Sequence, residues 1–430
     1  MSGLRAGTFP EAAVRERARV GAGAAFPALE DYGRALFGAP DAGSSGGPPG
    51  DELDAARLVP PVFVPERLEK LIDLAREPLH GDVDLGAEVG GFTSPLPVYL
   101  SAFGSTQVAS ADLGRAAGAQ AGALGVPMVI GENVVPVNGY GRLAGGGGRS
   151  LLGRISAYAE AVPDGVGGVV VQQSTEDADA EVWNLVYSDP SARPLLDSGR
   201  LGFELKVGQG AKPGLGGLTV VSSADGDRLS EQFAVEPVFG AESGRVLRCA
   251  SPGTFTEEIL RQQIRLMRNN FPRARVWVKL PPGRDVAVAA AVAWEAGADA
   301  VTVDGAEGGS GWAPTSFLAG VGLPLAECLR RIAGPTGCLL ASGRVWEGLR
   351  AAKCLAAGAR AVGLGRAALI AVDEDPEAGL TRLVECLALE LRLLISALGK
   401  YRAGALTPDD LWSPTGWTVP ARTPAGTVTR

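Results

Sequence analysis

One short unit is used twice, and it restricts the fold more than any other feature of the chain. Ala293–Val301 reads AWEAGADAV and Leu355–Val362 reads LAAGARAV. In each copy an alanine-rich stretch with helical periodicity stops at a glycine, Gly297 or Gly358, and a buried, β-branched run begins two residues on. Helix, glycine stop and apolar strand in that order are βα repetition, which implies a parallel sheet. Each strand then delivers glycines at its C-terminal end: Gly305, Gly308, Gly309 and Gly311, then Gly343, then Gly363 and Gly365. In a (β/α)8 barrel that end is the active face. Bare backbone N–H groups approach a phosphate closely only where no Cβ intervenes. Three glycine-rich turns on successive strand ends are therefore expected to grip a phosphate-bearing cofactor. The competing reading is ordinary turn glycines in a chain with 61 glycines.

Candidate strands recur at the spacing of βα units: 97–105, 126–133, 168–174, 201–210, 245–252, 275–282, 300–309, 338–344 and 361–366. That is one too many for an eight-stranded barrel. RVLRCASP (245–252) is assigned as the extra strand, inside a long active-face excursion that follows LGFELKVGQG. The expected class is α/β: a (β/α)8 TIM barrel over 91–400, an N-terminal extension and linker over 1–90, and a C-terminal tail over 401–430 beyond a strongly apolar last helix. The 46% hydrophobic content is enough for such a core, and the 6% aromatic content means small side chains packed closely.

Charge and cysteine usage exclude other classes. A net charge of −8 disfavours nucleic acid and anionic membrane as partners. No segment reaches the ~20 apolar residues of a membrane span, and the N-terminus lacks a signal-peptide core, so a cytoplasmic protein is expected. The five cysteines, Cys249, Cys328, Cys338, Cys354 and Cys386, have no CxxC spacing. Neither zinc nor an iron–sulfur cluster is expected, and no metal site is assigned.

The strings KVGQGAKPGLGG (206–217), VKL (278–280), DGAEGGSG (304–311) and GLGRAALIA (363–371), in this order and spacing, resemble the FMN-binding domain of glutamate synthase. SAFG (101–104) is similar to that family's first-strand flavin loop, and GEN (131–133) to its second-strand glutamate motif. GKYRAGALTPDDL (399–411) is similar to a segment of shorter relatives such as the FMN subunit of N-methylglutamate synthase. The resemblance spans roughly 55–412. It implies an FMN-dependent oxidoreductase that moves hydride between flavin and an imine, amino acid or 2-oxo acid. It also implies a separate ammonia- or electron-supplying protein as a candidate partner; a homo-oligomer is expected. The chain departs from the family where three cluster cysteines would follow the last flavin strand, where a glutamate in KPGEGG is Leu215, and in the loop beyond it.

The residues suggest roles by their own chemistry. Lys279 ends a strand inside the barrel, where an ammonium is costly unless it meets an anion; the resemblance makes that anion a reduced flavin. Lys206, Gln209 and Lys212 sit on one strand end and its loop, and could clamp a carboxylate while polarising an imine. Gln172 or Gln173 is expected at the flavin pyrimidine edge. Glu132 is either a ligand of a substrate amine or a helix N-cap acid. Ser101 and Gly104 are expected near the isoalloxazine, Gly308, Gly309, Gly343, Gly363 and Gly365 at the phosphate, with Arg366 as its brace. Asp304 and Glu307 are carboxylates near the proposed anion, with Glu307 simply facing water as the alternative, and Arg248 and Ser251 are substrate-contact candidates on the excursion. A hydroxy-acid oxidase would need an active-face histidine as base, and His80 precedes the barrel. An inosinate dehydrogenase would need a loop cysteine. An isopentenyl diphosphate isomerase would need a basic cluster for the diphosphate. A non-catalytic or partner-dependent flavoprotein subunit is the alternative of another class.

Overall fold

The structure is a computed structural model that describes residues 9–26, 51–63, 77–103, 111–131, 147–175, 180–208, 210–211, 218–231, 233–249, 255–310, 313–414 and 416–417. Gly104, Glu132, Gln209, Gly311, Lys212 and Ser251 lie outside the described residues, as do residues 64–76, where Pro65, Glu66 and leucines at helical spacing predict a helix.

A short strand, β1 (Arg57–Leu58), and a hairpin, β2 (Ala87–Val89) with β3 (Phe92–Ser94), precede the barrel. Its strands are β4 (Val98–Phe103), β5 (Met128–Ile130), β6 (Val169–Ser174) and β7 (Leu201–Lys206). An excursion carries β8 (Leu218–Ser222), β9 (Ala234–Glu236) and β10 (Arg245–Cys249). The barrel resumes with β11 (Arg275–Leu280), β12 (Ala300–Asp304), β13 (Cys338–Ser342) and β14 (Ala361–Leu364), and β15 (Leu411–Trp412) comes last. The eight barrel strands run parallel in the order β4-β5-β6-β7-β11-β12-β13-β14, and β14 pairs with β4 to close the ring. This is a (β/α)8 barrel. The two glycines of the repeated unit, Gly297 and Gly358, have φ of 103° and 105°, so each ends its helix in a conformation that glycine tolerates best.

Period two divides each strand. One face of every strand packs on the surrounding helices in the large core, with residues such as Val169, Val171, Leu205, Val276 and Val278. The other face fills the interior: Tyr99, Val129, Val170, Trp277, Ala300, Leu340 and Ala361 form a layer, closed from below by Val89 and Phe92 of the hairpin. The Trp277 ring lies 5.7 Å from Phe92, and its indole N–H donates to the Gly90 carbonyl at 2.9 Å. Gly90 has φ of 58°, and a Cβ there would run into that indole. The bottom of the barrel is thus a plug, not a pore.

Outside, the helix Ala111–Leu124 presents Gly114, Gly118 and Gly122 to the helix Gly147–Ala161. A Cβ would lie 3.0 Å from the Arg154 carbonyl at Gly118 and 2.6 Å from the Tyr158 carbonyl at Gly122, and would collide with the Arg154 guanidinium at Gly114. The stripe lets two backbones touch.

RVLRC does lie outside the barrel, in an antiparallel sheet of order β8-β10-β9. The excursion is more ordered than a long loop. It also holds the helix Ser223–Leu229, capped where Ser222 Oγ accepts from Asp225 N–H at 3.1 Å. The helix Glu257–Asn270, capped by Thr256, then returns the chain to β11. The segment PDDLWSPTGW reads as peripheral in sequence, yet it is tied in: β15 pairs antiparallel with β1, and Asp410 is buried and accepts from Lys400 Nζ at 2.6 Å. Near the start, the helix Glu11–Val20 sends Arg17 to both carboxylate oxygens of Glu390, at 2.6 and 2.7 Å. No described helix is long and apolar enough to cross a membrane.

Candidate active site

Above the apolar layer the inward positions turn polar. They are Ser101 on β4, Gln172 on β6, Glu204 on β7, Lys279 on β11, Thr302 and Asp304 on β12, and Ser342 on β13, all buried. Sheet register brings them together: Gln172 stands opposite Glu204, Lys279 opposite Thr302, and Asp304 opposite Ser342. Gln172 Nε2 donates to Glu204 Oε2 at 2.5 Å, and Thr302 Oγ1 donates to Glu204 Oε1 at 3.1 Å. Lys279 Nζ lies 3.1 Å from Asp304 Oδ2, and Ser342 Oγ donates to the other oxygen of Asp304. Burial pushes the Glu204 carboxyl above its ordinary value, against the pull of Lys279. The anion that Lys279 needs is thus supplied in part by the protein. Gln173 faces the other way, with its amide on the Gln172 carbonyl at 2.9 Å, so Gln172 is the glutamine of the interior. Ser101 Oγ and Tyr99 OH are buried side by side against Gly363, with Thr302 near the phenol.

Lys206 is on the face of Glu204, two residues nearer the strand end, and is half-buried. Of the glycines, Gly363 is where Ser101 and Tyr99 approach the β14 backbone, and a Cβ would collide with both. Gly308 packs against the Gly305 carbonyl, 2.9 Å from a Cβ position. Among the described residues a Cβ at Gly309 would meet nothing within 4 Å, and at Gly365, just before the helix Arg366–Glu374, only Ser101 Cβ at 3.9 Å. Gly343 has φ of 144° and Arg344 follows at 57°, the one positive φ among described non-glycine residues. A non-glycine residue there costs roughly 1–2 kcal/mol, so something must hold Arg344 in place. Its guanidinium donates to Asp54 at 2.5 Å.

That contact belongs to a buried ionic cluster beneath the glycine turns. Arg350 is 2% exposed. It donates to the Gly343 carbonyl at 3.0 Å, to Asp54 at 2.9 Å and to Glu307 at 2.7 Å, and it also pairs with Asp51. Glu307 does not face water. Burial and then the Asp51 carboxylate push it up to about 8, against the pull of Arg350. Asp51 is held below its ordinary value, burial opposing and Arg350 prevailing. Arg366 donates to the Glu307 carbonyl at 2.6 Å and lies over the Phe9 ring, where burial first and Arg344 second lower its pKa. The short helix Glu52–Ala55, with its N-cap Asp51, therefore ties down the turns after β12 and β13.

Sequence reading passed over Glu204, Thr302, Ser342, Arg344, Arg350, Asp51 and Asp54. For Glu204 a signal was present: it shares a strand face with Lys206 in an otherwise apolar run. Arg248, on the excursion, is buried against the Phe233 ring at 3.7 Å. Among the described residues no group of three His, Cys, Asp or Glu side chains is placed to hold a metal ion.

Residues 195–374, which run from just before β7 into the helix after β14, match the conserved region in glutamate synthase. A glutamate synthase large subunit-like protein of Rhizobium meliloti is 30% identical over 251 residues, 55% of this chain and 54% of that protein. Over this region the chain is similar to the glutamate synthase family. An archaeal-type glutamate synthase (NADPH) of Dehalococcoides mccartyi is 30% identical over 186 residues, 41% of this chain and 36% of that protein. The chain thus spans between about a third and about half the length of these two family relatives. An isopentenyl-diphosphate delta-isomerase of Vibrio campbellii is 37% identical over 129 residues, 26% of this chain and 38% of that protein. Among solved structures, a mandelate oxidase mutant with an FMN adduct superposes with a TM-score of 0.53 at 18% identity, covering 84% of this chain and 88% of that one. It shares the barrel.

Proposed function

We propose that this chain is an FMN-dependent oxidoreductase acting on an amino acid, or on the imine of a 2-oxo acid. The observation that carries the proposal is the polar ring over a filled barrel, with open glycine turns beside it. Gln172, Lys279 and the buried Ser101 hydroxyl are a floor of donors and acceptors suited to a planar heterocycle. The space at Gly309 and Gly365, with the N-terminus of the helix Arg366–Glu374, suits a phosphate. These residues fit FMN. When bound, the flavin would accept or deliver hydride.

The chain's own residues do the rest. Lys279, paired with Asp304 at 3.1 Å, would supply positive charge to the flavin. Arg366 fixes the Gly308–Gly309 turn through the Glu307 carbonyl. Lys206, at the rim above Glu204, would hold a proton at the substrate nitrogen. Gln209 and Lys212 follow it in sequence and would clamp the substrate carboxylate, and Glu132 and Gly104 complete the proposed set. The relative named large subunit-like supports a partner that supplies ammonia or electrons.

The test is the purified protein itself. It is expected to be yellow, to release FMN on denaturation, and to be bleached by a suitable amino acid under anaerobic conditions. Gly309→Asp should fold and lose the flavin, because its carboxylate would occupy the open space meant for phosphate. A colourless protein that refuses added FMN sinks the proposal. The similarity to an isopentenyl-diphosphate isomerase favours one other reading, turnover of a prenyl diphosphate on the same barrel. Isomerisation of isopentenyl diphosphate by the flavin-loaded protein, with no bleaching by any amino acid, would move the assignment there.

A further inference from the structure

Glu204 is 1% exposed, in the middle of a strand, under a ring of donors and acceptors. A carboxylate at that depth costs several kcal/mol unless its oxygens are satisfied. Here each oxygen accepts one hydrogen bond, from Gln172 on one side and Thr302 on the other, with Lys279 as the nearby positive charge. The consequence for Gln172 is specific. A primary amide has a donor end and an acceptor end, and turning it over exchanges them. In the structure both Glu204 oxygens accept, so the glutamine turns its nitrogen toward Glu204, and its Oε1 is left for whatever lies on the other side. Were residue 204 an amide, either orientation of Gln172 could be satisfied.

We propose that Glu204 is a positioning residue that fixes the amide of Gln172 with its oxygen presented to the ring site, so that the site selects a heterocycle with an imide N–H at that edge. This rests on the flavin reading given above, since the imide N–H of a flavin is its N3–H. Glu204 itself touches no ligand. It acts by removing one of the two orientations of Gln172. Thr302 holds the other carboxylate oxygen, and the polar ring keeps Glu204 from rotating away.

The test compares FMN with its N3-methyl analogue, which lacks the N–H. Binding to the flavin-stripped protein is followed by quenching of flavin fluorescence. The wild type is expected to prefer FMN by roughly tenfold or more, the equivalent of one hydrogen bond of ~1.4 kcal/mol. In Glu204→Gln the amide can take either orientation, so FMN affinity should fall only about twofold while the analogue, whose ring carbonyls the turned amide can serve, should gain, and the preference should shrink to within about threefold. Thr302→Val leaves the Gln172 contact in place and should keep the preference, which separates orientation from general damage to the ring. If Glu204→Gln does not fold, Glu204→Asp serves: it keeps the charge, but its side chain is too short to reach Gln172, and the preference should fall likewise. A wild-type preference retained in the folded Glu204 variant overturns the inference and leaves the flavin reading intact. A wild type that binds neither compound removes the flavin reading, and this inference with it.

Discussion

Arg350→Met tests the cluster that sets the glycine turns. The guanidinium is 2% exposed and satisfies Asp51, Asp54, Glu307 and the Gly343 carbonyl together. Methionine fills much of its volume and supplies no donor, so the carboxylates of Asp51 and Asp54 and the protonated carboxyl of Glu307 would remain under the turns without their common donor. Removing one partner from a buried ion pair costs about 3–5 kcal/mol. The Gly343 carbonyl adds about 1 kcal/mol. The expected loss is therefore about 3–5 kcal/mol, read from urea unfolding followed by tryptophan fluorescence at neutral pH. Arg350→Lys should recover under half of it, because an ammonium cannot span four acceptors. Arg193→Met is the control: its side chain is 67% exposed beside Asp197, and the change should stay within about 0.5 kcal/mol. A loss below about 1 kcal/mol for Arg350→Met would show that the cluster does not hold the turns.

Three further outcomes are expected. Glu307 binds its proton at about 8 when folded, against an ordinary 4.5, so the folded state keeps a proton that the unfolded state releases between those values. Stability should therefore fall as pH rises from about 4.5 to about 8, and Glu307→Gln should flatten that slope; an unchanged slope in unfolding midpoint against pH would place the titration elsewhere. Gly363→Ala should destabilise by roughly 1–3 kcal/mol, since its methyl meets Ser101 and Tyr99, whereas Gly309→Ala, with nothing within 4 Å, should unfold like the wild type; equal midpoints for the two would contradict the packing described. Lys206→Met should keep FMN and lose about 10²–10⁴-fold in anaerobic flavin reduction if Lys206 handles a proton; wild-type rates would leave the flavin barrel standing without that mechanism.

The barrel was legible because its signals are local. Each strand is a short β-branched run, each helix stops at a glycine, and Gly297 and Gly358 do take positive φ. The site was legible where a single residue is costly by itself, as with Lys279 inside a strand. Glu204 was not, because its meaning comes from register: only when β6 lies beside β7 does Gln172 stand opposite it. Arg350 was harder still. In GLRAAKCLAAG it reads as one cation on an ordinary helix, and its partners Asp51 and Asp54 are about three hundred residues away. Long-range ion pairing leaves no periodic trace in a sequence. The antiparallel sheet of the excursion was missed for a related reason: β8 pairs with β10 across a long intervening segment, and β9 has only 3 residues.

The glycine stripe on the helix Ala111–Leu124 has a dynamic consequence. Three glycines, each less favourable than alanine by roughly 0.5–1 kcal/mol, leave that segment a poor helix on its own. It gains stability from the backbone contact with the helix Gly147–Ala161, where the Tyr158 hydroxyl also donates to the Val126 carbonyl. The two helices should therefore open as one cooperative unit, and their amide protons should exchange with solvent at a common rate. That unit lies beside β4 and β5, so the wall of the barrel that carries Ser101 can breathe while β11 to β14 stay closed.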